Sequence, residues 1–176
     1  MDEHVSATNY LPGTDDMRRR ELVWGYVREP APTYGHQSVV TRTTTLLDLH
    51  VRTHALGLVC VSPIDVVLDG PNALILQPDV VFVSNDRKAI VGGQVCGAPD
   101  LVVEVVSPRA AFRDSTMKVG WYTAYGVREC LLLDPANRTV VTMNLETAEE
   151  RHCAGDALIT SWVLPLFAGT PRELFD

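Results

Sequence analysis

The stretch GAPDLVVEVVSP (97–108) decides the fold, because it places a charged residue inside a run of β-branched residues. Residues 101–106 are typical of a buried strand, since valine fits a pleated and packed surface. Glu104 is the only charged residue in that run. A buried carboxylate is strongly unfavourable unless a cation or several hydrogen-bond donors meet it. The stretch therefore predicts a strand whose glutamate either meets a cation or faces solvent.

The order of the other elements predicts a mixed fold. Short β-branched runs bounded by Pro, Gly or Asp predict strands at residues 21–27, 58–61, 64–68, 74–76, 80–83, 129–133 and 139–145. Helical spacing of apolar residues predicts a helix over 35–56, and 14–16 resemble a helix start. Another helix is predicted from Asp114, a favourable N-cap, to Gly126. The fold class is therefore α/β (α+β), with a mixed, largely antiparallel central β-sheet flanked by helices.

Length and charge limit the possible functions. A chain of 176 residues with 46% hydrophobic residues can bury a sizeable core. No repeat or linker divides it, so we predict one domain over residues 1–176, with a loosely ordered segment at 1–13. The net charge of −7 is opposite in sign to that of most nucleic-acid-binding proteins. Any such function would depend on a local basic patch.

Cysteine spacing and hydropathy bear on the compartment. The four cysteines form no CxxC pair, which favours buried reduced thiols over zinc ligands or disulfides. The first residues lack the apolar core of a signal peptide, and no apolar run approaches the roughly 18 residues of a membrane span. The sequence therefore predicts a cytoplasmic protein with no membrane partner.

Asp79 is the second acid of interest, because it follows Pro78 where the predicted strand 80–83 begins. If that strand neighbours residues 101–106, Asp79 and Glu104 converge at one end of the sheet. Converging carboxylates bind hard divalent cations such as Mg²⁺. The alternative is that Glu104 faces solvent on an edge strand, which is the commoner situation for an isolated acid pair.

Five segments taken together resemble a known family. In chain order they are RELVWG (20–25), QPDVVFVS (77–84), GAPDLVVEVVSP (97–108), RDSTMKVGWYTAYGVREC (113–130) and LLLDP (131–135). This series resembles the Uma-type family, described as "putative restriction endonucleases", within the PD-(D/E)XK nuclease superfamily. The resemblance runs from about residue 18 to Leu174 and Phe175. It implies a restriction-endonuclease-like core in a single nuclease-like domain.

The resemblance also implies a set of site residues. Asp79 and Glu104 match the acids expected to bind the metal, which is Mg²⁺ or Mn²⁺. Glu21 matches an expected third carboxylate in the catalytic group, and the carbonyl of Val105 an expected additional metal ligand. The superfamily's usual lysine would stand at position 106, where this chain has valine.

Lys118 is the implied replacement for the missing strand lysine, in a lysine-migrated variant of the motif. Strand alternation puts Val106 on the face of Glu104, so a lysine from a neighbouring helix can reach the same space. The alternative is that Lys118 lies on the helix surface and pairs with Asp114 at i, i+4 spacing. Arg109 and Arg113, with Lys118, form either the required basic patch or three solvated side chains.

Several other histidines and tyrosines are weaker candidates for metal binding, a position at the pocket or base stacking. His50 and His54 have metal-compatible i, i+4 spacing, but no glutamate follows His50 as the zincin motif requires, so a helix-surface position is favoured. His36 matches a common family position at the start of the helix over 35–56, which would border the pocket, but a capping or packing role is the simpler expectation. Tyr122 and Tyr125 are expected to pack in the core rather than stack on bases.

Three functions remain open from the sequence. The first is a Mg²⁺- or Mn²⁺-dependent endonuclease that hydrolyses DNA phosphodiester bonds by in-line attack of an activated water, with Lys118 orienting the water or stabilising the transition state. A homodimer is expected, because one small domain holds one cleavage centre. The second is a catalytically inactive nuclease-fold module that binds a protein or nucleic-acid partner; the acidic net charge and Val106 favour it. The third is hydrolysis of another phosphoester.

Overall fold

The structure is a computed structural model that describes residues 4–11, 19–29, 32–106 and 112–176, except for the side chains of 112–114. Its helices are α1 (Ala7–Tyr10), α2 (Tyr34–Thr53), α3 (Phe112–Ala124) and α4 (Pro171–Phe175). Its strands are β1 (Glu21–Val23), β2 (Tyr26–Arg28), β3 (Gly57–Val61), β4 (Val66–Asp69), β5 (Leu74–Leu76), β6 (Val80–Ser84), β7 (Val95–Cys96), β8 (Leu101–Val105), β9 (Glu129–Asp134), β10 (Thr139–Asn144) and β11 (Glu149–Ala154).

The larger sheet has six strands in the order β11-β10-β9-β8-β6-β3. Strands β8 and β9 pair in parallel, and the other neighbours are antiparallel. A parallel pair needs a crossover connection, and α3 lies in the segment that joins these two strands. The prediction of a mixed, largely antiparallel central sheet flanked by helices is confirmed.

A second sheet brings the N-terminal residues to the middle of the chain. It has five strands in the order β2-β1-β5-β4-β7. The segment predicted as one strand over 21–27 is a hairpin instead, because Trp24 and Gly25 form a tight turn between β1 and β2. Both residues have positive φ angles, which suit a two-residue turn between twisted strands. Strand β1 pairs with β5, just before Gln77 and Asp79 in the chain.

Strand β8 is buried on both faces, which explains its uninterrupted apolar sequence. Leu101, Val103 and Val105 pack with α2 in one hydrophobic cluster. Val102 packs with Tyr122 of α3 in a second cluster on the opposite face. Because side chains alternate along a strand, Glu104 belongs to the face of Val102, beneath α3.

Several boundaries differ from the predictions. Helix α2 begins at Tyr34, where the Thr33 side chain accepts a hydrogen bond from the backbone N–H of His36, and it ends at Thr53. Helix α3 begins at Phe112, so the prediction that Asp114 is the N-cap is wrong. Residues 12–16, which include the predicted helix start at 14–16, lie outside the described residues.

Two elements near the C-terminus were not predicted. Strand β11 has the polar sequence EERHCA and lies at the edge of the larger sheet, where only the inward-facing Cys153 is buried. Helix α4 has five residues, too few for a periodic apolar pattern, and a Thr170–Glu173 capping box stabilises its start.

Two observations concern the cysteines and the membrane. All four cysteines are free: Cys130 and Cys153 are buried, Cys60 is half-buried, and Cys96 is exposed, contrary to the expectation of four buried thiols. In the ranges that the structure describes, no helix is both long enough and apolar enough to cross a bilayer.

The central position of β8 leads to a stability prediction. Leu101 is fully buried, so Leu101→Ala should lower the free energy of unfolding by about 2–5 kcal/mol through lost burial and a cavity. Leu158 is 62% exposed, so Leu158→Ala should change it by less than about 0.5 kcal/mol. Urea unfolding monitored by circular dichroism measures both. Equal effects of the two substitutions would contradict the burial of β8.

Candidate active site

Glu104 is the centre of a polar cluster beneath α3. It lies in the fourth position of β8 and is 6% exposed. Its Oε1 accepts hydrogen bonds from the Tyr122 hydroxyl at 2.5 Å and from Lys118 Nζ at 3.1 Å, and its Oε2 lies 3.2 Å from the same Nζ. Lys118 and Tyr122 are one helical turn apart on α3, so one face of that helix supplies both donors.

Lys118 also binds an acid from the second sheet. Its Nζ lies 2.6 Å from Oε1 of Glu21, the first residue of β1. The same oxygen accepts a 3.2 Å hydrogen bond from the backbone N–H of Gln77. The Lys118 side chain is 13% exposed. The ammonium therefore bridges two glutamates from different sheets, which excludes the alternative of a solvated helix-surface lysine.

Asp79 lies at the same end of the larger sheet as Glu104. Val80 pairs with Val103 in an antiparallel ladder, so the start of β6 adjoins the end of β8. Asp79 Oδ2 accepts a 2.7 Å hydrogen bond from the backbone N–H of Val105, which fixes the carboxylate against that strand. The fully buried Asp79 is thus held beside Glu104 by backbone contacts of both strands.

Two basic side chains from other elements also contact Asp79. Arg19, just before β1, places Nη1 2.6 Å from Oδ1. His36, in the first turn of α2, places Nε2 3.3 Å from Oδ2. The His36 side chain is 7% exposed, and its Nδ1 is buried without a hydrogen-bond partner. His36 therefore borders the candidate site, in agreement with the pocket position considered from the sequence.

Burial and neighbouring charges shift the titration of these groups. Burial raises the pKa of Glu104, Lys118 acts in the opposite direction, and the nearby charges of Asp79 and Glu21 raise it further. Burial alone would also raise the pKa of Asp79, but the His36 hydrogen bond and the Arg19 charge outweigh it and lower this pKa. Burial opposes the charge of Lys118, yet Glu104 and Glu21 raise the pKa of its ammonium. Glu104, Asp79 and Glu21 thus interact electrostatically.

The donor chemistry of this cluster fits a hard divalent cation. Among the side chains that the structure describes in this cluster, three carboxylates face two cations, Arg19 and Lys118, with His36 beside them. Although it lies close to Arg19, the buried Asp79 Oδ1 accepts no well-aligned hydrogen bond. Mg²⁺ and Mn²⁺ prefer such oxygen donors. Asp79 and Glu104 could therefore hold a metal ion.

Basic side chains lie beside or between the three acids. Among the residues that the structure describes, no three His, Cys, Asp or Glu side chains stand close enough together to hold a metal ion. Lys118 takes the space between Glu21 and Glu104, and Arg19 takes the space beside Asp79. Metal binding at Asp79 and Glu104 would thus compete with these ion pairs.

The structure brings most of the sequence-predicted residues together. Asp79, Glu104, Glu21 and Lys118 form one connected cluster, in which Val105 contributes its backbone N–H. The role of the Val105 carbonyl as a metal ligand stays a prediction. Arg109 and the side chain of Arg113 lie outside the described residues, as does the Asp114 side chain. His50 lies away from this cluster, against Pro165 and Phe167. The His54 ring contacts the His50 ring at a tilt of 47°, with centroids 4.6 Å apart.

The sequence did not indicate that Arg19, Gln77 and the Tyr122 hydroxyl belong to this cluster. Arg19 lies two residues before Glu21, a spacing that places both on one strand face. It is one of three consecutive arginines, so the sequence does not show which arginine contacts the acids. Tyr122 was expected only to pack in the core; it does so, and it also donates to Glu104. Gln77, immediately before Pro78, accepts from the backbone N–H of Arg20 and donates to Asp65 in addition to contacting Glu21.

A comparison with models of known protein families gives a match over most of the chain. A family model named Uma2 and described as "Putative restriction endonuclease" matches residues 8–170. The chain belongs to the Uma2 family. That assignment confirms the resemblance proposed from the sequence and supports a nuclease function. No curated protein matches the chain significantly.

A solved structure shows the same fold as this Uma2-family chain. It is a crystal structure from Anabaena variabilis titled "putative nuclease belonging to DUF820". The TM-score is 0.80 at 16% sequence identity, over 97% of each chain. At this identity the similarity establishes the fold and leaves the roles of individual residues to direct tests.

The bridge made by Lys118 can be tested without assuming any activity. Lys118→Met should lower the free energy of unfolding by about 3–5 kcal/mol, because it leaves buried carboxylates unpaired. A double-mutant cycle of Lys118→Met with Glu104→Gln should give a coupling of about 1 kcal/mol or more in urea unfolding with EDTA present.

The exposed ion pair of Arg172 and Asp156 provides the matched control. Its cycle, Arg172→Met with Asp156→Asn, should show a much smaller coupling, because solvent screens this exposed pair even though it is bidentate. If the Lys118–Glu104 cycle behaved like this surface pair, the buried bridge would be contradicted.

Proposed function

We propose that this protein is a divalent-metal-dependent endonuclease that hydrolyses phosphodiester bonds of DNA. In this proposal Asp79 and Glu104 bind Mg²⁺ or Mn²⁺ together with the carbonyl of Val105, and Glu21 and Lys118 complete the catalytic group. The main support is the position of the Lys118 ammonium, 3.1 Å from Glu104 and 2.6 Å from Glu21. Membership of a family described as "Putative restriction endonuclease" supports the same conclusion.

The proposed mechanism assigns a role to each side chain. A divalent metal ion held by Asp79 and Glu104 would act as a Lewis acid that neutralises charge on the phosphate. Lys118 donates a hydrogen bond to the attacking water or to a phosphate oxygen, where negative charge increases in the transition state. Arg19 is the second cation that can contact the phosphate. Tyr122 keeps the Glu104 carboxylate in place through its 2.5 Å hydrogen bond.

In this mechanism Lys118 substitutes for the strand lysine that Val106 replaces. Position 106 lies two residues after Glu104, so a lysine there would point to the same face of the sheet. Lys118 reaches that face from α3, which packs over it through Tyr122. A lysine can move from strand to helix in this way because catalysis requires only that its ammonium lies beside the acids.

A second candidate function is a catalytically inactive module that binds a protein or nucleic-acid partner. The support for it is that Arg19 and Lys118 already neutralise most of the carboxylate charge. In such a module the cluster would act as a structural ion-pair network. Absence of divalent-ion binding at millimolar concentrations in calorimetry would favour this function over the nuclease.

We also propose a cytoplasmic homodimer. Each chain has one candidate centre, so cutting both strands of duplex DNA needs two copies or two binding events. The four free thiols are compatible with a reducing compartment. Sedimentation of the purified protein measures the oligomeric state directly.

Cleavage of DNA tests the proposed function. Purified protein with Mg²⁺ or Mn²⁺ should nick supercoiled plasmid DNA, and Asp79→Asn and Glu104→Gln should each lower the rate by at least about 100-fold, because each removes a charged metal ligand. Glu150→Gln, on the exposed edge strand β11, is the matched control and should cleave normally. Cleavage that survives both active-site substitutions would reject these residues as the centre.

The Lys118 ammonium should also affect the affinity of the protein for Mn²⁺. If its ammonium competes with the metal for Glu104, Lys118→Met should bind Mn²⁺ at least as tightly as the wild type while losing DNA cleavage. Calorimetry gives the affinity, and the plasmid assay gives the activity. Weaker Mn²⁺ binding by Lys118→Met would contradict the competition.

A further inference from the structure

Two tryptophans lie on or directly after the elements that carry Lys118 and Glu21. Trp121 follows Lys118 by three residues on α3, which places it about one helical turn away. Trp24 follows Glu21 by three residues, in the turn between β1 and β2. The two indole rings meet edge to face, with centroids 6.1 Å apart and planes at 87°. An aromatic pair therefore spans the two elements that provide the cation and one acid of the candidate centre.

The hairpin presents its aromatic residues to solvent. Trp24 is 39% exposed and Tyr26 is 51% exposed. Glu21 pairs with Arg28, and Val23 pairs with Tyr26, so these four residues share one face of the sheet. Tyr26 thus lies on the same face as Glu21. We call the exposed Trp24 and Tyr26, with the half-buried Trp121, the aromatic surface; Tyr26 also meets the His4 ring edge to face, with centroids 5.8 Å apart.

The backbone at Trp24 is a reason to connect this surface with a ligand. Its φ angle is 52°, in the left-handed region, where a bulky side chain is disfavoured. Asn, Asp or Gly would fit the first position of this turn with less strain. Contact with Trp121 buries part of the indole, yet two fifths of Trp24 stays exposed. The turn alone therefore does not account for a tryptophan at this position.

We propose that Trp24, together with Trp121 and Tyr26, stacks an unpaired nucleobase of the DNA strand whose phosphate enters the candidate centre. Aromatic side chains stack on any base, because every base presents a π-face. Bases inside a duplex already stack on each other, so this surface selects single-stranded or locally unpaired DNA. The inference rests on the proposed nuclease function, to which it adds the substrate class.

A purely structural role for the pair makes a different prediction. Packing of Trp24 on Trp121 could serve only to hold the hairpin, and with it Glu21, against α3. Leucine at position 24 keeps an apolar contact but has no ring for stacking, whereas phenylalanine keeps a ring. If Trp24 stacks on a base, Trp24→Leu should bind single-stranded DNA more weakly than Trp24→Phe. If Trp24 only packs on Trp121, the two variants should bind alike.

Binding of oligonucleotides without metal tests the proposal. The probes are a fluorescein-labelled single-stranded oligothymidylate and a duplex of the same length, and the readout is fluorescence anisotropy of the full chain in EDTA. Trp24→Leu should weaken binding of the single strand by about fivefold or more, the range seen when one stacking residue is removed. Trp24→Phe should bind close to wild type. Duplex binding should be weaker and insensitive to both substitutions.

Trp162 provides the matched control. It lies under the Arg151 guanidinium, 3.9 Å from the ring centroid, on the edge strand side of the larger sheet. Trp162→Leu should leave single-strand binding unchanged. If Trp24→Leu does not fold by circular dichroism, Tyr26→Leu replaces it, because Tyr26 is half exposed on an edge strand and its loss should also weaken binding.

The possible outcomes separate this proposal from the nuclease function. Wild-type binding of the single strand by Trp24→Leu, or by Tyr26→Leu in its place, would overturn the stacking surface even if Glu104→Gln abolishes cleavage. Equal loss of single-strand and duplex binding would also overturn it, because phosphate contacts alone would then explain the affinity. Selective loss of single-strand binding in a protein that cuts no DNA would support the surface and reject the nuclease.

Discussion

The bridge from Lys118 to Glu104 and Glu21 is the interaction on which the rest of the site depends. It joins α3, the larger sheet and the second sheet at one buried point. A carboxylate in the middle of β8 would be strongly unfavourable without it, because the strand is packed on both faces. The helix α3 therefore connects the parallel strands β8 and β9 and also carries Lys118, the cation that stabilises the buried Glu104.

Asp79, at the end of the larger sheet, is likewise a buried acid that contacts basic side chains from other segments. The acid is anchored by the Val105 N–H and balanced by Arg19 and His36, which come from two other parts of the chain. Four separate segments thus converge on one small volume. Such convergence of buried acids and bases is costly for stability and is typical of functional sites.

The sequence predicted the features that depend on local patterns. Glu104 stood out because a strand of valines isolates it, and the mixed sheet followed from the order of short apolar runs. The second sheet could not be predicted, because β1 pairs with β5 across a long separation that leaves no local trace. Lys118 needed the family resemblance, since helical spacing alone also allows a surface pair. Arg19 and the Tyr122 hydroxyl became recognisable only through their distances to Asp79 and Glu104.

We propose that the buried acids form a metal site whose lysine comes from α3, and anomalous diffraction from crystals soaked in Mn²⁺ tests this proposal. We expect one strong peak in contact with the carboxylates of Asp79 and Glu104, with Lys118 Nζ displaced from Glu104 but still beside the site. A well-occupied Mn²⁺ peak elsewhere, with the Lys118 bridge intact and no density at these two acids, would contradict it.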